Sequence, residues 1–530
     1  MNLKFNKFKR YIWIILIIGI GTLFRVRSLI SNYTSYDDIG VAVTMLFYDE
    51  LKGLQRFKSV KSATWTYAPL QLIFPAFILY NGMSYEEIIF WGRFPSFIFG
   101  VLSIFLQYVL VKKEEGKKNY IPCLTALMLA LSWENIIYST QMEPYEIGVF
   151  FVALITILLY KEKNSWVDLV VLVLACYAQY QLYIFVFSYY AVNLWINRKN
   201  KNKFFLYFTQ GVINLLLCIP LLNYVFTNGM LSRGTNWNVG PDNMFLFSIP
   251  DGTLILKIKY IIVFFMRNII IMIKSFYVSN SGTSWVYIIA SIISLFIVIG
   301  FVKLYKSDNK KIFIYICING AIFLTLILMG KLALSPTRHS LVGVPLYLLM
   351  FGKGLTILDC IKQDKIKKII SYVLPVCFCT IFACQYNQEY TDRINHCSSE
   401  TYQSIIDNYE PSYLASYGYK FEINILNFVQ YERVSDWILS KNCYLHKSGD
   451  EIDEGSYVVA VGGGRINEKE FFEDFWEKVG SVEGNSKRDL YNIELVYKEE
   501  IKPSTSVEYA TDFFAKSSNG YYMYVYKFVK

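Results

Sequence analysis

Long apolar runs constrain this chain more than any other feature. YIWIILIIGIGTLF begins at residue 11, and VLSIFLQYVLV, YIIASIISLFIVIGFV and FIYICINGAIFLTLILM follow. The hydrocarbon core of a bilayer is crossed by a helix of about 20 apolar residues, and several runs reach or approach that length. Hydrophobic residues make up 54% of the 530 and charged residues 18%, whereas soluble domains carry about 25% charged. The fold class expected is therefore a polytopic α-helical membrane protein. The first run follows MNLKFNKFKR and no small-residue cleavage site comes after it, so it reads as an uncleaved anchor.

Charge divides the chain. The net charge is +10, yet residues 387–530 hold 24 acidic and 15 basic side chains, a balance of −9 that leaves +19 for the rest. A basic membrane region, residues 1–386, is thus expected to precede an acidic domain, residues 387–530.

Lys and Arg in short loops mark the cytoplasmic side. The basic clusters fall at 4–10, 112–118, 161–163, 198–203, 303–311 and 362–368, so the chain must leave and return between them. Spans are expected near 9–28, 88–111, 119–134 and 145–160, twice within 166–196, then near 204–226, 284–304, 312–330, 340–358 and 369–386. That makes about eleven, with the amino end cytoplasmic and the acidic domain outside. Two apolar stretches fit no simple crossing. PLQLIFPAFILYNG (69–82), in the external loop 29–87, contains Pro75, and the stretch 254–276 carries Lys257, Lys259, Arg267 and Lys274. Both read as interfacial or re-entrant helices with snorkelling lysines.

The acidic domain reads as mixed α/β. NILNFVQYERVSDWILSK and EKEFFEDFWEKV have helical spacing, while SYVVAVGGG and YYMYVYKFV have strand character. The GGG lacks the spacing of a nucleotide loop. Its aromatics, Trp437 and Trp476 among them, suit a small core or sugar stacking. Seven of the ten cysteines lie within the membrane region, where they serve as small apolar residues, and Cys384 lies at its boundary. Cys397 and Cys443 could pair in an oxidising compartment, and with His396 and His446 they form a poor zinc set. No internal repeat is evident.

Four polar features fall at external ends of spans: Asp37-Asp38, TWTYAPL (64–70), STQMEPYE (139–146) and SPTRH (335–339). Each has an ordinary reading beside a functional one. Asp37 and Asp38 read as solvated loop acids or as a site; Glu143 and Glu146 as rim charges or site acids; Tyr67 as the start of an interfacial helix or a ligand contact. Arg338 and His339 read as headgroup anchors or phosphate ligands. Arg93, just inside its span, reads as a snorkelling or a functional cation.

Taken in order, these blocks resemble the GT-C membrane glycosyltransferases, specifically the family 39-like protein O-mannosyltransferase and aminoarabinose-transferase group. Asp37-Asp38 match that group's early acid pair. Tyr67-Ala68-Pro69-Leu70 match a His-Pro-Pro-Leu-like segment, and Arg93-Phe94-Pro95-Ser96 through Gly100 match an Arg-Leu-Pro-Ser-like helix start. Tyr138-Ser139-Thr140-Gln141-Met142-Glu143-Pro144-Tyr145 match a Tyr-Ser-X-Glu-X-X-Pro-Tyr-like loop. Pro336-Thr337-Arg338-His339 look like a Pro-Arg-Tyr helix start. The departures are Asp38 for glutamate, Tyr67 for histidine, Ala68 for proline, and Gln141 and Glu143 where relatives carry an acid and a base.

The resemblance implies transfer of a sugar from a polyprenyl-phosphate donor to an extracytoplasmic glycan, lipid or protein. An arginine fork suits the lipid phosphate: Arg338 first, Arg93 second. Asp37 is the expected general base and Asp38 orients the acceptor, with Tyr67, Glu143, Tyr145 and His339 lining the site. One base opposite a leaving phosphate implies inversion. No cofactor is expected, although two adjacent aspartates are able to hold a divalent metal. The partners expected are the donor, membrane lipids and the acceptor, with no nucleic acid. The location expected is a bacterial plasma membrane. The competing readings are a flippase of a lipid-linked sugar, a non-catalytic sensor and a glycan polymerase or ligase.

Overall fold

The computed structural model describes residues 2–30, 70, 73, 85–115, 120–161, 165–227, 247, 253–277, 284–307, 310–330, 332, 334, 338–360 and 373–383. Toward the carboxyl end it describes 408–409, 413–417, 443–446, 455, 457–463, 492–501 and 521–529. The chain divides into two compact units, one built mainly from residues up to Asn387 and the other mainly from Gln388 onward.

The first unit is helical. Its helices are α1 (Asn2–Leu29), α2 (Tyr85–Glu115), α3 (Tyr120–Ala130), α4 (Trp133–Tyr138), α5 (Tyr145–Leu158), α6 (Trp166–Ala178), α7 (Leu182–Ile196), α8 (Lys201–Thr227), α9 (Leu254–Tyr277), α10 (Ser284–Lys306), α11 (Lys310–Leu328), α12 (Arg338–Leu341) and α13 (Val344–Leu355). A 3-10 turn over Thr356–Cys360 and a last helix α14, Val373–Ala383, follow. Among the described residues, five stretches are long and apolar enough to cross a bilayer: Ile12–Leu29, Phe90–Glu115, Lys201–Asn223, Ser284–Lys306 and Lys310–Leu328. Six shorter apolar helices accompany them, among them α3, α5, α6 and α7. At 1.5 Å rise per residue the 11-residue α3 extends only about 17 Å, short of a full crossing.

Where one span near 119–134 is expected, the helix stops at Ala130, turns through Leu131-Ser132, and resumes as α4. The stretch 132–146, which includes the polar segment 139–146 expected at the external ends of two spans, is largely helix and turn, and all of it is buried. The stretch 254–276 forms one continuous helix. Its amino-terminal part exposes Leu254, Ile255 and Ile262, while Met272, Ile273, Phe276 and Tyr277 join the bundle core. The companion stretch 69–82 falls almost wholly outside the described residues.

Close approach of α10 to α13 depends on glycine. A methyl added at Gly354 would run into the Phe296 carbonyl, and one at Gly300 into the Met350 carbonyl. Small residues at helix crossings in bilayers allow such backbone proximity. At one end of the bundle charges are tied together. Lys353 Nζ lies 2.6 Å from Glu114 Oε1 and 3.5 Å from Glu115 Oε1, and Tyr160 donates to Glu114 Oε2 at 2.8 Å. Lys161 meets Asp168 at 2.7 Å, and Asp168 also closes a capping box with Ser165 at the start of α6.

The second unit contains a five-stranded sheet of β1 (Tyr413–Tyr417), β2 (Cys443–His446), β3 (Tyr457–Gly463), β4 (Asn492–Ile501) and β5 (Tyr521–Val529), in the order β2-β1-β3-β5-β4. β1 and β3 run parallel; the other pairings are antiparallel. The strands expected at SYVVAVGGG and YYMYVYKFV are β3 and β5. Gly462 and Gly463 pair with Tyr522 and Tyr521 inside the ladder. Val525 and Tyr526 are both buried, and because successive strand residues face opposite ways, both sides of β5 are covered. Tyr526 is thus a core aromatic. The two expected helices, Cys397, Trp437 and Trp476 lie outside the described residues.

Candidate functional site

Along α2 the residues Arg93, Ser96, Gly100, Ser103 and Gln107 recur at helical spacing and are all buried. This polar stripe on an apolar helix faces inward. It meets the segment 139–146 at successive levels. A methyl at Gly92 would strike the Met142 side chain, Ser96 Oγ donates to the Glu143 carbonyl at 2.9 Å, and a methyl at Gly100 would strike Ser139. The chain 139–146 is thus laid along α2 rather than looped into solvent.

Beneath that segment sits a buried charge pair. Arg25 on α1 is fully buried, and its Nη1 donates to Ala130 O at 3.1 Å and Gly21 O at 3.2 Å, its Nη2 to Leu129 O at 3.4 Å. The last carbonyls of a helix lack partners within it, and a cation there also complements the helix dipole, so Arg25 caps α3. Gly21 makes room for this, since a methyl there would meet Ala130 Cβ at 3.0 Å. Glu146, in the first turn of α5, is the opposite charge acting on Arg25. It accepts a hydrogen bond from Asn135 Nδ2 at 3.0 Å. Arg25 Nε and Glu146 Cγ flank the same point above Gly100, each 3.2 Å from where a methyl would stand. Ser28 and Thr140 hydroxyls share a 2.8 Å hydrogen bond that ties α1 to the same segment.

The expected site residues distribute as follows. Arg93, 1% exposed, is buried on α2 rather than snorkelling to the surface. Glu143 and Glu146, 2% and 0% exposed, are interior acids and not rim charges. Tyr145 begins α5 and packs edge-on against Tyr138 with ring centroids 5.8 Å apart. Arg338 and His339 begin α12, which lies against α4 and α5. The structure therefore brings the 93–100, 138–146 and 338–341 blocks together. Asp37, Asp38 and Tyr67 lie outside the described residues. So does the question of a metal on the acid pair; among the described residues no three His, Cys, Asp or Glu side chains cluster.

Sequence reasoning missed Arg25, Asn135 and Gln107 as interior polar groups. Signals were present for two of them: an arginine directly after the first apolar run, and the polar periodicity from Arg93 to Gln107. Ionisable groups at such positions are costly and are retained for a purpose.

No known protein family model matches the chain, and no curated protein matches it.

Proposed function

We propose that the protein is an integral membrane glycosyltransferase that moves a sugar from a polyprenyl-phosphate donor to an extracytoplasmic acceptor by inverting displacement. The observation that carries the reading is the convergence of three blocks separated in sequence. Arg93 and Ser96 lie on α2, which packs against the 139–146 segment, and the helix opened by Arg338 and His339 packs against α4 and α5, which flank that segment. A flippase or scaffold does not call for these blocks in this order. The long apolar helices among the described residues support a membrane setting; the eleven-span layout in the plasma membrane, amino end inside and carboxyl-terminal domain outside, belongs to this proposal.

In this reading the polyprenyl tail stays in the bilayer and its phosphate reaches the bundle end. Arg338 binds the phosphate oxygens as a fork, with Arg93 second, and so stabilises charge that builds as the sugar–phosphate bond breaks. Asp37 takes the proton from the acceptor nucleophile as it attacks the anomeric carbon. Asp38 orients the acceptor, and Tyr67, Glu143, Tyr145 and His339 line the cavity. The buried Arg25–Glu146 pair holds the 139–146 segment in place; it is a positioning device and takes no part in the bond changes.

The test uses purified protein, a panel of radiolabelled polyprenyl-phosphate sugars and cell-envelope extract. Transfer of label to an envelope acceptor is expected from one donor, and Asp37→Asn should lower turnover by 10² or more, the scale of general-base catalysis, with unchanged thermal unfolding. Near-normal turnover of Asp37→Asn would remove Asp37 as the base. No transfer from any donor would remove the reading.

A further inference from the structure

The turn between α6 and α7 carries a pair of amides that packing alone does not account for. Gln179 ends α6 in an extended conformation and Gln181 begins α7. Gln179 Nε2 donates to Gln181 Oε1 at 2.9 Å. Both side chains are buried, at 0% and 4% exposure. Gln179 Oε1 and Gln181 Nε2 have no hydrogen-bond partner. One bare acceptor and one bare donor therefore stand side by side, and turning both amides over leaves the same complement.

Leaving such groups unsatisfied in a bundle interior is costly, and nothing in the turn requires glutamine. The backbone of the turn is closed by its own bonds: Gln179 N to Ala175 O at 3.3 Å and Leu182 N to Gln179 O at 3.1 Å. The pair also lies against the candidate site. A methyl at Gly148, two residues beyond Glu146 on α5, would run into Gln179 Oε1 and meet Val342 Cγ1 at 2.8 Å. Val342 directly follows α12, which Arg338 and His339 open. Gln179 thus packs against α5 at Gly148, two residues beyond the 138–146 block, on a face that Val342 also approaches.

We infer that Gln179 and Gln181 read the hydroxyl groups of a sugar and set which epimer the protein accepts. Neutral amides with one donor and one acceptor suit adjacent hydroxyls, each of which gives and takes a hydrogen bond. They add no charge to compete with the arginines for phosphate. The inference rests on the glycosyl-transfer reading and adds specificity determinants to it.

The test measures thermal unfolding of the full chain in detergent. Ligands are bare polyprenyl phosphate and polyprenyl-phosphate glucose, mannose and galactose. Wild type should be stabilised by bare polyprenyl phosphate and further by one sugar epimer over the others. Gln181→Leu and the isosteric Gln181→Glu should keep the response to bare polyprenyl phosphate. They should lose the sugar increment and at least about tenfold of the affinity difference between epimers, the loss expected when a site built for hydroxyls loses its partners. Where the leucine variant does not fold, the glutamate variant is read alone. A retained increment and unchanged epimer ranking would overturn the inference while leaving the transferase reading intact. A wild type unmoved by every polyprenyl ligand would overturn both.

Discussion

Neutralising Glu146 is the sharpest test of how the site is held. Glu146→Gln keeps the shape and still accepts from Asn135 Nδ2, which now reaches Glu146 Oε2 at 3.0 Å. Only the charge is removed. Arg25 then remains fully buried with three backbone carbonyls and no counter-charge. The two side chains flank Gly100 within about 6 Å of each other. At that separation, with an effective dielectric constant near 20, their attraction is on the order of 3 kcal/mol. Breaking a buried pair by removing one partner costs about 3–5 kcal/mol in general, so the two routes agree. Reversible unfolding in mixed micelles should show Glu146→Gln destabilised by about 3 kcal/mol. Arg25→Met should cost at least as much, because it also removes the guanidinium bond to the Ala130 carbonyl at the end of α3. In the double variant the losses should fall short of additivity by roughly the coupling energy. Full additivity, or a Glu146→Gln protein as stable as wild type, would show that no charge lock holds the 139–146 segment.

Two further outcomes concern the frame around the site. Lys353→Met removes the lysine charge beside Glu114 and Glu115 in a largely buried setting and should lower stability by about 3 kcal/mol, read in the same micelle titration; Glu114→Gln added to it should restore part of the loss. Gly354→Ala places a methyl against the Phe296 carbonyl and should cost about 1–3 kcal/mol by overpacking, whereas Gly320→Ala, with nothing within 4 Å of the added methyl, should leave the unfolding midpoint in place.

Apolar run length made the membrane class readable, and the observed helices begin and end within a few residues of the expected spans for α2, α5, α10 and α11; α1 ends at the expected place but starts earlier, at Asn2. That is because length and composition alone set whether a helix suits a bilayer. The break at Ala130 was not readable. It depends on Arg25, 105 residues earlier in the chain, taking the carbonyls that would otherwise continue the helix. Burial of 132–146 was likewise hidden, since serine, glutamate, asparagine and glutamine in a row look like a loop until a partner helix supplies their bonds. For Gln179 and Gln181 the sequence offered only two glutamines near a turn, and their unspent atoms became visible when α5 closed over them. The strands β3 and β5 were legible because alternation of side chains across a sheet is a local property. β1, β2 and β4 carry weaker local patterns and were not singled out.

The α2 stripe bears on why this bundle is more than an anchor. A helix that only holds a chain in lipid has no reason to place Arg93, Ser96, Ser103 and Gln107 on one buried line; in hydrocarbon each is a liability unless matched. Ser103 Oγ donates to the Phe99 carbonyl of its own helix at 2.8 Å, whereas Ser96 donates to the Glu143 carbonyl and so joins α2 to the segment that carries the buried Glu143 and Glu146. Gly92 and Gly100 lie one turn before and one turn after Ser96, where any side chain would push the segment away. The stripe and the glycines act together: small residues admit the 139–146 chain, and polar ones hold it. That spacing fixes Glu143 and Tyr145 on a rigid support, as the proposed transferase site would require of the residues that line it.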